Sequence, residues 1–353
     1  MRIIYIHIYI VCLLIVTFSL LGCRGTTDFT DENRPPVHSK RTLISYIVSS
    51  NEFLPNGHPC ADIFINQHLS DMHDYGMCFG NKSNTINQNF DFKSLYLLTG
   101  GNEQISFYGD SCQYLAGHDT DYIVAMRLCA THNVNGDFDT SDKFTGGFHG
   151  YNSETSGNFS PTMYEISKKV YADGVELLPN TSVYADSVKV IVENLIQGSN
   201  TEKIDGTGRY IMKQVIILTC SGGDYNIDIN LIPLEDVLLY QVNGLCFYND
   251  FDMIQFLGSE KDNNAYNKAQ VVRADKNVYA IRQFNSKYYF DVFMDLKYGL
   301  GTCNFNDDSY NASSESANKS YFNLISKRDG VLVPKDSVVS FRGGYRFGTN
   351  TTN

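Results

Sequence analysis

Apolar and polar residues alternate strictly over 225–231, Tyr225-Asn226-Ile227-Asp228-Ile229-Asn230-Leu231, the pattern of a strand with one buried and one wet face. The run before it, 210–219, is aliphatic and β-branched and ends at Ser221-Gly222-Gly223-Asp224, so the two segments are predicted to pair as a hairpin. Similar runs predict strands over 94–98, 122–128, 182–195, 278–284, 288–296, 321–325 and 337–347, punctuated by Gly, Asn, Asp and Ser. Helical periodicity is confined to a short turn around 63–72. No repeat of fixed period is visible, which argues against a propeller or β-helix. The prediction is an all-β fold: a large antiparallel β-sandwich over 131–348 with a smaller N-terminal β-rich unit over 41–130, set apart by its Cys and His content.

The N-terminus follows a different pattern. Met1 and Arg2 precede an almost unbroken apolar run over 3–21, which ends in Leu20-Leu21-Gly22-Cys23. That order is a secretory signal, and its last four residues resemble a bacterial lipobox. The resemblance implies a signal peptide over 1–22 and a lipidated Cys23; the alternative is an uncleaved anchor, since about 20 apolar residues can span a bilayer. Either places the body outside the cytoplasm, at a membrane of the cell envelope. Residues 24–40 are polar, contain Arg34-Pro35-Pro36 and lack periodicity, so 23–40 is read as a tether and 349–353 as a disordered tail.

Composition narrows the partners. The formal net charge is −11 and no Lys/Arg cluster exists to neutralise a row of phosphates, so nucleic acid is excluded as a partner. Beyond Cys12 and Cys23 lie Cys60, Cys78, Cys112, Cys129, Cys220, Cys246 and Cys303. Export permits disulfides, and one or two are expected within 60–129; no Cys-x-x-Cys pair or zinc spacing occurs.

In the second half, Asp205-Gly206-Thr207-Gly208-Arg209-Tyr210 leads into two long strands, and 332–337 brings a Pro-containing turn and Asp336 before Phe341-Arg342-Gly343-Gly344-Tyr345-Arg346-Phe347. These segments are similar to the central hairpin and closing strand of galactose-mutarotase-like β-sandwiches, the fold of aldose 1-epimerases that is also a domain of several polysaccharide lyases. The resemblance implies a supersandwich of a carbohydrate-active protein, and the lyase version implies an acidic glycan as substrate.

Candidate chemistry centres on Thr145-Gly146-Gly147-Phe148-His149-Gly150-Tyr151-Asn152, where flanking glycines let the chain turn and present the His149 ring. Under the resemblance, His149 and Tyr151 are acid or base, and Asn152, Arg209 or Arg282 holds a substrate carboxylate and its enolate-like charge. A mutarotase also needs a late carboxylate base, and Glu315 sits in a Ser-rich loop without strand context. The segment 133–144 partly resembles a calcium loop, with Asp137, Asp139 and Asp142 as ligands, but it opens on Asn133 and has Phe144 where a carboxylate closes the site. A solvated turn is the competing reading, so no cofactor is assigned, with calcium as the one candidate. His58, His68, His73 and His118 match no zinc signature. The chain has no Trp, and Tyr240, Tyr248, Tyr288 and Tyr345 near strand ends are the candidate sugar-stacking rings. Two function classes result: a lyase-like enzyme, or a non-catalytic lipoprotein that binds glycan or another envelope component.

Overall fold

The computed structural model describes residues 41–54, 57–70, 73–81, 86–87, 89–99, 112–117, 126–147, 151–152, 160–201, 208–258, 265–274, 277–298, 310–314 and 319–350. Numbered in chain order, 24 strands form three large antiparallel sheets and one small pair, with no helix among the described residues. The first sheet has six strands in the order β12 (Thr181–Ala185), β1 (Thr42–Phe53), β2 (Pro59–Ser70), β3 (His73–Asn81), β4 (Phe90–Thr99) and β5 (Cys112–Ala116). The second has ten: β11 (Val175–Glu176), β10 (Met163–Ala172), β13 (Val188–Gln197), β14 (Tyr210–Ser221), β15 (Asp224–Pro233), β24 (Val339–Thr349), β21 (Tyr288–Met294), β20 (Ala280–Phe284), β17 (Met253–Leu257) and β18 (Ala265–Asn267). The third has six: β19 (Val272–Arg273), β22 (Asn311–Ser314), β23 (Lys319–Val333), β16 (Val237–Tyr248), β6 (Met126–Ala130) and β7 (Phe144–Thr145). The small pair is β8 (Tyr151–Asn152) with β9 (Ser160–Pro161).

The alternation at 225–231 does what the pattern predicts. Tyr225, Ile227, Ile229 and Leu231 are wholly buried, while Asp224, Asn226, Asp228 and Asn230 stay half-exposed. The hairpin with β14 closes through Gly222-Gly223, with Ser221 opposite Asp224. The buried face of the ten-stranded sheet is covered by both six-stranded sheets, giving a sandwich. Phe290 of β21 shows this directly, since its ring lies 5.6 Å from Phe92 of the first sheet and 5.5 Å from Phe247 of the third.

Two tyrosines fasten the layers. Tyr225 and Tyr345 are cross-strand partners on β15 and β24. Tyr225 donates its hydroxyl to the Ile65 carbonyl in the first sheet, and Tyr345 donates to the Cys246 carbonyl in the third, each at 2.8 Å. Each buried hydroxyl thereby satisfies its hydrogen bond, and together the pair binds all three sheets. Burial pushes both phenols, and those of Tyr75 and Tyr310, far above the usual tyrosine range. The unfolded chain therefore releases these protons first, so the stability they contribute is intact below about pH 10 and falls as pH rises beyond it. Alkaline spectrophotometric titration is expected to show the exposed tyrosines ionising first and these four only as the protein unfolds; four smooth ionisations below the unfolding transition would refute the clasp.

Several expectations change. The described part of 63–72 holds no helical turn: Ile63 through Ser70 lie in β2. Both faces of β2 are covered, Ile63 and Ile65 by the main core and Phe64 by a satellite cluster with Cys78 and Leu98, so its apolar spacing lost the period of two. No disulfide joins Cys60, Cys78, Cys112 or Cys129; Cys78 is buried among apolar side chains, which pushes its thiol well up. The run 182–195 is two strands, β12 and β13, parted at Asp186-Ser187, whose two N–H groups both donate to Asp173 Oδ1. Residues 41–130 and 131–348 share strand pairs, β1 with β12 and β6 with β16, and share the main core cluster. Asn350 is tied down through its N–H to the Lys287 carbonyl and its amide to the Asn285 carbonyl.

Candidate functional site on the open sheet face

The other face of the ten-stranded sheet carries the most organised polar chemistry among the described residues. Strand polarity creates it: β15 presents Asp224, Asn226, Asp228 and Asn230 on its wet side, and β24 presents Arg342, Gly344, Arg346 and Gly348. The antiparallel register sets Asp224 opposite Arg346, Asn226 opposite Gly344 and Asp228 opposite Arg342. Each Arg–Asp pair is bidentate. Arg346 reaches Asp224 through Nε and Nη2 at 2.7 Å each, and Arg342 reaches Asp228 at 2.5 and 2.9 Å. The row through Arg346 continues to Asp291 of β21 and Arg282 of β20, where Nε and Nη2 contact the carboxylate at 2.7 and 2.8 Å.

Aromatic rings alternate with these guanidiniums. Arg342 lies over Tyr298 at 4.5 Å, Arg346 over Phe293 at 5.2 Å, and Arg282 over Tyr289 at 4.0 Å, all within cation–π range. Gly344 makes room for the central ring, because a Cβ there would stand 2.6 Å from Phe293 Cζ and 2.2 Å from the Tyr225 carbonyl oxygen. The Phe293 ring therefore covers Gly344, which is itself buried, with Asn226 across the strand pair and an Arg–Asp pair on either side, each about 7 Å along the strand by β-geometry. Each carboxylate holds its guanidinium firmly charged, raising Arg342 and Arg346 above the usual arginine range. Asp291 differs from the other carboxylates: its side chain is 2% exposed, and burial raises its carboxyl above the usual range against the opposing pull of Arg282.

The residues singled out from sequence are scattered. His149 lies outside the described residues, as do Cys23 and Glu315; Tyr151 and Asn152 are described through their backbone, as β8. The turn before His149 is sharp, as expected, with Gly146 and Gly147 at φ 59° and 64°. It is pinned from beneath by Asn87, whose amide donates to the Gly147 carbonyl, and by Thr162, whose hydroxyl accepts from the Gly146 N–H. Arg209 donates to Glu235 at 2.7 Å and to the His132 carbonyl at 2.6 Å, bracing a loop. It precedes Tyr210 at one end of β14, whereas the row of Arg282 meets β14 at Ser221, the other end. The 12 residues of β14 set the two rows about 35 Å apart along the strand, so the two arginines serve no common substrate carboxylate.

The four tyrosines do not form a platform. Tyr345 is the fully buried clasp. Tyr240 is buried in β16, where burial with Cys129 beside it pushes its phenol up to about 12. Tyr288 packs on Phe347 at 5.5 Å, and Tyr248 lies beneath the Lys319 ammonium at 5.2 Å. In the calcium-like segment, Asn133 Oδ1 accepts the N–H groups of Asn135 and Asp137, an Asx turn, and Asp142 pairs with Arg127. Among the described residues no three His, Cys, Asp or Glu side chains converge as a metal site.

No family model matches the chain. No curated protein matches it. Among solved structures it is similar to a glycosyl hydrolase family 38 protein from Enterococcus faecalis, at 7% identity and a TM-score of 0.36 over 87% of this chain. It is also similar to an alpha-mannosidase from Enterococcus faecalis V583, at 6% identity and a TM-score of 0.35 over 88% of this chain. The chain spans 39% and 43% of those two chains. Likenesses at that level bear on neither mechanism nor substrate.

Sequence reading missed the ladder although a signal was present. Asp224 and Asp228 are four residues apart on a wet face, and so are Arg342 and Arg346 in a second alternating strand. Two strands with matched charge spacing and opposite sign are a pairing signal.

Proposed function

We propose that this chain is a glycan-binding protein of the cell envelope, held there through Cys23 and its tether, with the sheet face around Phe293 as its binding surface. The carrying observation is the alternation of rings with bidentate Arg–Asp pairs along this face. A sugar ring has an apolar face that stacks on Phe293 and a rim of hydroxyls that needs oriented donors and acceptors, which Asn226 and the flanking pairs supply. Exposed ion pairs contribute about 0–1 kcal/mol each to folding. Arg342 and Arg346 are 41% and 43% exposed, so stability alone gives little reason for two such pairs framing an open face.

The test is binding of the full-length chain, purified in mild detergent, to an immobilised glycan array. Phe293→Ala is expected to weaken binding by about tenfold, the equivalent of a 1.4 kcal/mol contact. Asn226→Ala, at a half-exposed position, provides the check should Phe293→Ala fold poorly. Binding indifferent to both changes would sink the proposal. The lyase reading is tested in the same preparation: absorbance of unsaturated products from uronic-acid polysaccharides would replace the binding role with a catalytic one.

A further inference from the structure

We infer that the glycan taken on the face around Phe293 is neutral and presents vicinal hydroxyls; this rests on the binding role proposed above and specifies its ligand. The arginines of this face are already matched by carboxylates. Arg282, Arg342 and Arg346 face Asp224, Asp228, Asp291 and Asp295, three against four, so no guanidinium is left over for an anion. A carboxylate or sulfate on the ligand would approach Asp224 and Asp228, both directly bound to the arginines it needs, and like charges brought together this way reject a partner.

The hydrogen-bonding pattern points the same way. A guanidinium has five N–H donors, and Arg342 and Arg346 each use two of theirs on an aspartate. Each carboxylate offers about four lone-pair sites, of which two accept from its arginine. On either side of Phe293, unused donors and unused acceptors therefore stand side by side. A hydroxyl donates once and accepts twice, so two adjacent hydroxyls complement such a pair, one donating to the aspartate and the other accepting from the arginine. A carboxylate only accepts and leaves the aspartate side unmet. The chain as a whole, with 39 acidic against 28 basic residues, also disfavours a polyanion before contact.

The experiment compares the full-length chain on neutral polysaccharides (mannan, β-glucan, galactan) with polyuronates (alginate, polygalacturonate) at low and high salt. Binding to at least one neutral polymer is expected, changing less than about twofold between 50 and 500 mM NaCl because no net charge is neutralised. Asp224→Asn and Asp228→Asn keep the shape and are each expected to weaken it about fivefold to tenfold by weakening an acceptor. Preference for the polyuronates, with affinity collapsing in high salt and improving in Asp228→Asn, would overturn the neutral-ligand inference while leaving a glycan-binding face. No binding to either class, or binding unchanged in Phe293→Ala, would overturn the binding role itself.

Discussion

Asp291→Ala is expected to lower the unfolding free energy by about 3 kcal/mol, measured by urea denaturation with an unchanged slope. The carboxylate is 2% exposed and grips Arg282 at 2.7 and 2.8 Å. Removing one partner of a buried pair strands the other, typically at about 3–5 kcal/mol. Arg282 is 28% exposed and can recover some water, so the lower end applies. The raised Asp291 carboxyl adds a second expectation. Burial opposes its charge more than Arg282 favours it, so the folded state holds this proton more tightly. Its contribution is then fully present below the ordinary Asp range near 3.9 and is lost as pH rises through the raised value. The pair is thus costly to break yet adds little by being charged, and Asp291→Leu with Arg282→Met is expected to return stability to within about 1 kcal/mol of the parent. A double variant as unstable as Asp291→Ala would refute this account.

Tyr345→Ala is expected to cost about 3–5 kcal/mol, the range for emptying a buried aromatic site. Its ring stacks on Phe92 at 5.0 Å and on Phe290 at 5.7 Å, so the void opens where the sheets meet. Tyr345→Phe keeps those contacts and removes only the hydroxyl that reaches Cys246, an expected loss of about 1–2 kcal/mol. The sequence offers this ring as a sugar platform, and the two substitutions separate the roles: a clasp changes melting temperature in both, whereas a ligand contact changes affinity in a protein of unaltered stability.

Sequence legibility followed the wetness of each strand. β15 was readable because one face is core and the other solvent, so Asn and Asp interrupt its apolar residues at every second position. β2 was misread since both its faces are covered, and an uninterrupted apolar stretch does not distinguish strand from helix. Pairing was harder still. β24 lies between β15 and β21, and Asp224 meets Arg346 across 122 positions, a distance local pattern does not register. The candidate site falls on that unread connection. Each half was visible as a run of alternating charges, but only the register places Gly344 between the arginines and brings Phe293 beside it. The His149 segment drew attention because a lone His between glycines is conspicuous in one dimension, whereas a site shared among four strands is conspicuous only in three.

The place of β24 also orders the assembly of the molecule in time. Its neighbours, β15 and β21, are both earlier in the chain and have no pairing with each other. Until β24 arrives the ten-stranded sheet exists as two halves, each with an unsatisfied row of backbone groups along the seam. Closing that seam is a late, long-range event with a high loop-closure cost, so folding should be slow and its rate set by this one insertion. A chain emerging from the ribosome would therefore remain open and incompetent until β24 is free, then zip shut along a single line.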